Sequence, residues 1–262
     1  VGKVHLRCTV IPAAAMTGLS LEHKYSLNLL GHIFNEILAL SKCAAASHLQ
    51  PGEKLNALSD PEKSGFLLNM MMFVRMLAGK IYEAQLKINS PLVKDFLLKR
   101  CFPNMEEREK DRLKEFNREV TKCRWLAAAR NGHAMHYPTF DYWRDSLEKF
   151  EESEIAFRYY FGRKIGDVLY ETADLVAGNA FVLEADGSDW RAGVSTAIVD
   201  LERISGIVAE FIVTCVQGFE RGVQDPRVEY KRRVKRKDVK RIDVPHIEDL
   251  MIPFFLDTKT KA

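Results

Sequence analysis

Three residues with complementary chemistry share one short stretch, Ala129-Arg130-Asn131-Gly132-His133-Ala134-Met135-His136-Tyr137-Pro138. An imidazole moves a proton near neutral pH. A guanidinium keeps its charge and can grip a phosphate through two parallel hydrogen bonds. Attack by a ribose 2′-oxygen on its neighbouring phosphorus needs a base for the 2′ proton, an acid for the leaving 5′ oxygen and a cation for the phosphorane charge. His136 suits the proton transfers, Arg130 the charge, and the Asn131 amide can position either. His133 and Tyr137 flank the set as possible assistants, and the chemistry calls for no metal and no cofactor.

The elements that must position these residues read as helices. Apolar residues at Phe66, Met70, Phe73, Leu77, Ile81, Ala84 and Ile88 keep the three–four spacing of a single helical stripe. Ser59-Asp60-Pro61-Glu62 ahead of it is a cap followed by a first-turn proline. Periodicity predicts further helices over 20–47, 91–101, 103–131, 141–161, 165–184 and 190–220. Leu113, Phe116, Val120, Cys123 and Ala127 give the helix that leads into Arg130 a narrow apolar stripe. On a regular helix, residues six apart point about 240° apart. His136 therefore approaches Arg130 only if the helix end bends between Gly132 and Pro138. Otherwise Asn131 and Gly132 simply terminate the helix.

Arg, then a polar residue, then His a few residues on, inside a helical domain, resembles the signature of the HEPN superfamily (higher eukaryotes and prokaryotes nucleotide-binding). Arg130, Asn131 and His136 match its Arg, polar and His positions. The spacing is one residue longer than the family's common form, and Met135 stands where Ala is usual. The resemblance covers about residues 59–161. It implies an all-α bundle that dimerises so that two motifs face each other, and a metal-independent endoribonuclease of toxin–antitoxin, phage-defence or RNA-processing type. A restraining antitoxin or a larger effector complex follows from the same resemblance.

Composition limits the remaining classes. The chain has 262 residues, 47% hydrophobic and 29% charged, with a net charge of +3, as expected of a globular protein with a sizeable core. No apolar run reaches the roughly 20 residues of a bilayer span, so no membrane partner is expected. Five scattered cysteines without a C-x-x-C pair point to a reducing, cytoplasmic setting. His5, His23, His32, His48 and His246 show no metal-ligand spacing. Walker-type loops, dinucleotide fingerprints and G-x-S-x-G elbows are absent from the sequence.

Charge is unevenly distributed: 227–241 holds nine Lys or Arg against two acids. Lys231, Arg232, Arg233, Lys235, Arg236, Lys237, Lys240 and Arg241 are candidate contacts to an RNA backbone. The expected organisation is a helical domain over 1–226 followed by a basic extension over 227–262. Strict alternation at Val4, Leu6, Cys8 and Val10 predicts a strand. Residues 228–234 are a second, pairing with the first, and 242–256 an extended tail with apolar anchors. Tyr137, Tyr142 and Trp143 are candidate base-stacking rings. Two competing classes remain at this point. One is a non-catalytic helical module docking nucleic acid or protein through the basic segment, and the other a nucleotide-binding helical domain.

Overall fold

A computed structural model describes residues 2–48, 56–154, 156–164, 167–187, 189–223, 235–246, 249–250 and 252–255. The fold is all-α, with one two-stranded antiparallel ribbon. In chain order the elements are β1 (Gly2–Val10), α1 (Ala13–Met16), α2 (Leu21–His48), α3 (Asp60–Ile88) and α4 (Pro91–Phe96). A π turn at Leu97–Cys101 and a 3-10 turn at Phe102–Asn104 lead to α5 (Glu107–Lys122) and α6 (Trp125–Ala129). A second π turn, Arg130–Ala134, precedes α7 (Phe140–Glu152), α8 (Glu171–Ala185), α9 (Trp190–Val223) and β2 (Lys235–Val244).

Helix starts follow local chemistry. Glu62 reaches back to accept from both the amide and the hydroxyl of Ser59, at 2.8 and 2.6 Å, the reciprocal half of a capping box. Every member of the predicted α3 stripe except the half-buried Phe73 is buried. This helix has the length and composition to cross a bilayer, yet 56% of its apolar window is buried inside the protein, as in a core helix.

Two compact units emerge, each assembled from separated stretches of chain. The first takes 1–38, 80–122 and 203–246. Its core is built on Leu30, Ile81, Ile88, Phe96, Leu97, Phe116, Ile204 and Phe211, all under 2% exposed. Each such side chain contributes roughly 1.5–3 kcal/mol of hydrophobic stabilisation. Lys80 donates to both oxygens of Glu36 at 2.9 and 3.0 Å. Buried Glu119 gathers Lys122 at 2.9 Å, Arg118 at 3.0 Å and Arg203. Arg221 forks onto the two oxygens of Glu109 at 2.9 and 3.0 Å.

The second unit takes 39–79, 123–202 and 247–262. Leu126, Leu169, Phe181 and Leu201 are large side chains fully buried within it. α8 and α9 approach closely where Gly193 meets the backbone of Val182, which leaves no room for a Cβ. Of the tail, Phe254 lies directly over Gly65, and Asn69 donates to the Ile252 carbonyl at 3.0 Å. Burial pushes the Asp174 carboxyl up and the Arg75 guanidinium down, and their mutual attraction at 3.9 Å opposes both.

Four expectations need correction. The helix expected over 103–131 is interrupted at Cys123-Arg124, where the chain passes from one unit to the other. The helix expected over 141–161 stops at Glu152, and the next begins at Glu171 rather than near 165. Alternating Phe157-Arg158-Tyr159-Tyr160-Phe161 instead runs extended, bridging Tyr160 to Leu169. Finally, β1 pairs with Lys235–Val244, whose start is the basic run and whose end was expected to be tail. The strand expected at 228–234 lies outside the described residues.

The Arg221 fork holds the Glu109 carboxyl below its ordinary value of 4.5. A depressed folded-state value means that the ion pair stabilises the protein above pH 4.5, and that this contribution disappears as pH falls through the lower value. The difference in Tm between the wild type and Arg221→Gln is therefore expected to narrow as pH is lowered from 7 through 4.5. It should not vanish, because Arg221 also donates to the Asn104 carbonyl at 3.0 Å. A difference independent of pH would contradict this.

Candidate functional site

The approach to the motif is anchored in the second unit. Trp125 starts α6, donates its indole N–H to Asp200 at 3.2 Å and packs edge-on against Phe181 at 5.8 Å. Leu126 and Ala129, one turn apart, are fully buried. The helix is thus fixed up to the residue before Arg130.

There the helix widens. The Met135 amide donates to the Arg130 carbonyl at 3.3 Å, an i→i+5 bond closing the π turn Arg130–Ala134. Such turns usually occur singly within or at the ends of α-helices, frequently at functional sites. Met135 caps the turn while still in the right-handed helical region, with φ −108° and ψ −15°, and His136 to Thr139 are non-helical before α7 starts. The expected departure from the regular helix is therefore present, as one inserted residue in the hydrogen-bond ladder followed by an irregular turn.

Two glycines make that turn possible. A Cβ on Gly79 of α3 would lie 2.8 Å from Ala134 Cβ and 2.8 Å from Met135 Cε. A Cβ on Gly132 would lie 2.5–2.9 Å from three ring carbons of Tyr142 on α7. The π turn is clasped between α3 and α7 at distances only glycine permits.

The side chains sort into an outward and an inward set. Arg130 is half-buried and Asn131 exposed, and Arg130 Nη1 donates to Asn131 Oδ1 at 2.7 Å. His136 is exposed and Tyr137 wholly so. His133 faces inward: its side chain is 1% exposed, packed edge-on to Tyr142 at 5.5 Å and Phe181 at 6.1 Å. Its Nε2 lacks a hydrogen-bond partner and lies 4.0 Å from Glu184 Oε1. Tyr142 and Trp143 are half-buried, with the Trp143 indole N–H enclosed and unpartnered. Neither presents an open face to a base as Tyr137 does.

Beside this turn an open cleft of about 350 Å³ is lined by Asp141, Tyr142, Asp145, Ser146 and Glu184 among others. Its lining carries the carboxylates of Asp141, Asp145 and Glu184, which make it unfavourable to anions. Among the described residues, no group of three or more His, Cys, Asp or Glu side chains stands together to hold a metal ion.

The candidate RNA contacts at the other end of the chain divide. Lys231, Arg232 and Arg233 lie outside the described residues. Lys235, Arg236, Lys237, Lys240 and Arg241 belong to β2, opposite Val10, Thr9, Cys8, Leu6 and His5 of β1. They belong to the first unit and the motif to the second.

Gly79 is the functional neighbour that sequence reasoning did not single out. Its signal was a glycine inside the predicted helix, after Met76-Leu77-Ala78, at a position where glycine costs about 1 kcal/mol relative to alanine. Comparisons of the chain with protein-family models, curated proteins and solved structures return no match.

Gly132→Ala is expected to cost about 1–3 kcal/mol, because the methyl must displace the Tyr142 ring. In a denaturation series, Tyr142→Ala combined with Gly132→Ala should recover part of that loss, giving a non-additive double-mutant cycle. Additive losses would show that the two do not touch.

Proposed function

We propose that this chain is a metal-independent endoribonuclease acting through Arg130, Asn131 and His136, as the resemblance to HEPN nucleases implies. The observation that carries the reading is the π turn: within it Arg130 donates to Asn131 at 2.7 Å, and after Met135 the chain presents the exposed His136. Asn131 Oδ1 accepts from the guanidinium, so its NH₂ is the end of this exposed side chain that would donate to a phosphate oxygen.

In this mechanism His136 takes the 2′ proton, the 2′-oxygen bonds to phosphorus, and the P–O5′ bond breaks. Arg130 and the Asn131 amide hold the charge that develops on the non-bridging oxygens. The departing 5′ oxygen then needs a proton. His133 does not supply it in this scheme, since its ring is enclosed between Tyr142 and Phe181. A single copy thus offers one exposed imidazole at the turn, and the second comes from a facing copy. That is the physical argument for a homodimer with composite sites. A partner that restrains such an activity belongs to the same proposal.

The non-catalytic alternative retains one supporting observation, the ordered pairing of the basic Lys235–Val244 strand with β1. A two-stranded ribbon of this kind is a known way to meet a nucleic-acid groove. Neutral substitutions in β2 should abolish that role and leave cleavage at the π turn intact.

Arg130→Ala and His136→Ala are each expected to lower cleavage of single-stranded RNA in EDTA by about 10²–10⁴-fold. Mixing the wild type with excess His136→Ala protein and allowing subunits to exchange should suppress cleavage, since a hybrid carries only one of the two imidazoles the reaction needs. Undiminished cleavage by His136→Ala would overturn the assignment. Verified hybrids of wild-type and His136→Ala subunits that cleave as well as the wild type would overturn the composite site.

A further inference from the structure

Between α7 and α8 the chain forms an irregular hairpin that presents aromatic rings to solvent. Phe157, Tyr159 and Phe161 alternate along its first arm and are 65%, 50% and 69% exposed. In an extended segment, residues two apart share a face. Their rings accordingly form a row, with centroids 6.0 Å apart between Phe157 and Tyr159 and 5.3 Å between Tyr159 and Phe161. Tyr170, 53% exposed on the second arm, joins at 6.1 Å from Tyr159.

The arm is held rigidly beneath the rings. Tyr160 and Leu169 exchange backbone hydrogen bonds at 2.8 and 3.0 Å, and Leu169 is buried. The Arg158 amide donates to Thr172 Oγ1 at 2.7 Å, and the Thr172 amide to the Arg158 carbonyl at 3.1 Å. Four large rings left in water on a braced backbone are costly unless something covers them.

Charge selects the occupant. Arg158 lies within the aromatic arm, and exposed Arg163 and Lys164 follow it. The arm itself carries no acid between Ala156 and Lys164. Asp167 is turned back onto the Lys164 amide at 3.3 Å, and Glu171 is engaged by Arg158 at 3.4 Å. Glu151, Glu152 and Glu154 stand just before the arm and disfavour a phosphate there, which leaves the Arg163–Lys164 side for a backbone. Aromatic faces beside cations match single-stranded nucleic acid, whose bases stack on rings without regard to sequence. α7 leads from this hairpin to the π turn: Tyr142, near its start, touches Gly132 and His133, and the helix has 13 residues, a length of about 20 Å.

We infer that the Phe157–Tyr159–Phe161–Tyr170 row is the base-stacking platform on which single-stranded RNA is held while another part of the same strand reaches the Arg130–His136 turn. This rests on the ribonuclease reading for its substrate, but it is tested by binding alone. Fluorescence anisotropy of a 5′-labelled oligouridylate is measured in EDTA on the His136→Ala chain, with thermal unfolding as the check on folding. Adding Tyr159→Ala or Phe161→Ala should weaken affinity about tenfold each, with Tm nearly unchanged. Adding Arg163→Ala should lower the slope of log affinity against log salt by about 0.7.

Ring substitutions that leave affinity unchanged overturn the platform, as does a His136→Ala chain that binds no oligonucleotide. So does a ring dependence that appears only in self-association by sedimentation or in binding to anionic vesicles. If the wild type cleaves in EDTA while the rings prove dispensable, this inference alone fails. If the rings bind RNA and the wild type does not cleave, the platform stands and the ribonuclease reading fails.

Discussion

One backbone hydrogen bond governs the rest: the Met135 amide reaching the Arg130 carbonyl across one residue more than an α-helix allows. Without it, Arg130 and His136 would sit on divergent faces of a continuing helix. With it, the helix opens a turn early, and the chain after Ala134 leaves helical structure with His136 and Tyr137 exposed. A 3.3 Å bond is a weak clamp by itself. The wide turn persists because packing on both sides over-determines it.

That packing is where stability and chemistry meet. Gly79 and Gly132 let α3 and α7 close on the turn from two directions, and neither could carry a methyl without displacing a neighbour. His133 completes the wedge from inside, its ring filling the space between Tyr142 and Phe181. The two histidines of the motif therefore do different work: His133 holds the turn and His136 projects from it. Confining one imidazole to the interior is also why the proposed two-proton reaction would draw its second imidazole from a second copy.

Much of this was legible in the chain. The α3 stripe, its Ser59–Glu62 cap and the long α9 helix follow from local periodicity and capping, which short-range chemistry decides. The motif was proposed from residue types alone, and the need for a bend from the six-residue step. The form of the bend was not, because a π turn depends on what presses against it, and Gly79 lies some fifty residues away in sequence. The segment after Glu152 was misread for a related reason. Its aromatics fit a helical spacing as well as an alternating one, and the choice was made by Thr172 and Leu169, which capture the Arg158 and Tyr160 backbone. β1 was legible from strict alternation. Its partner was not, since charged Lys235–Arg241 lacks the apolar rhythm of a strand.

The proposed chemistry at the turn would leave a signature that attack by an activated water does not. If His136 draws the 2′ proton and the 2′-oxygen becomes the nucleophile, fragments end in a 2′,3′-cyclic phosphate facing a 5′-hydroxyl. The most direct measurement is therefore mass spectrometry of the ends produced from single-stranded RNA by the wild-type chain in EDTA. Cyclic phosphate and 5′-hydroxyl ends are predicted. Ends bearing 3′-hydroxyl and 5′-phosphate, or intact RNA, would contradict the assignment of Arg130, Asn131 and His136.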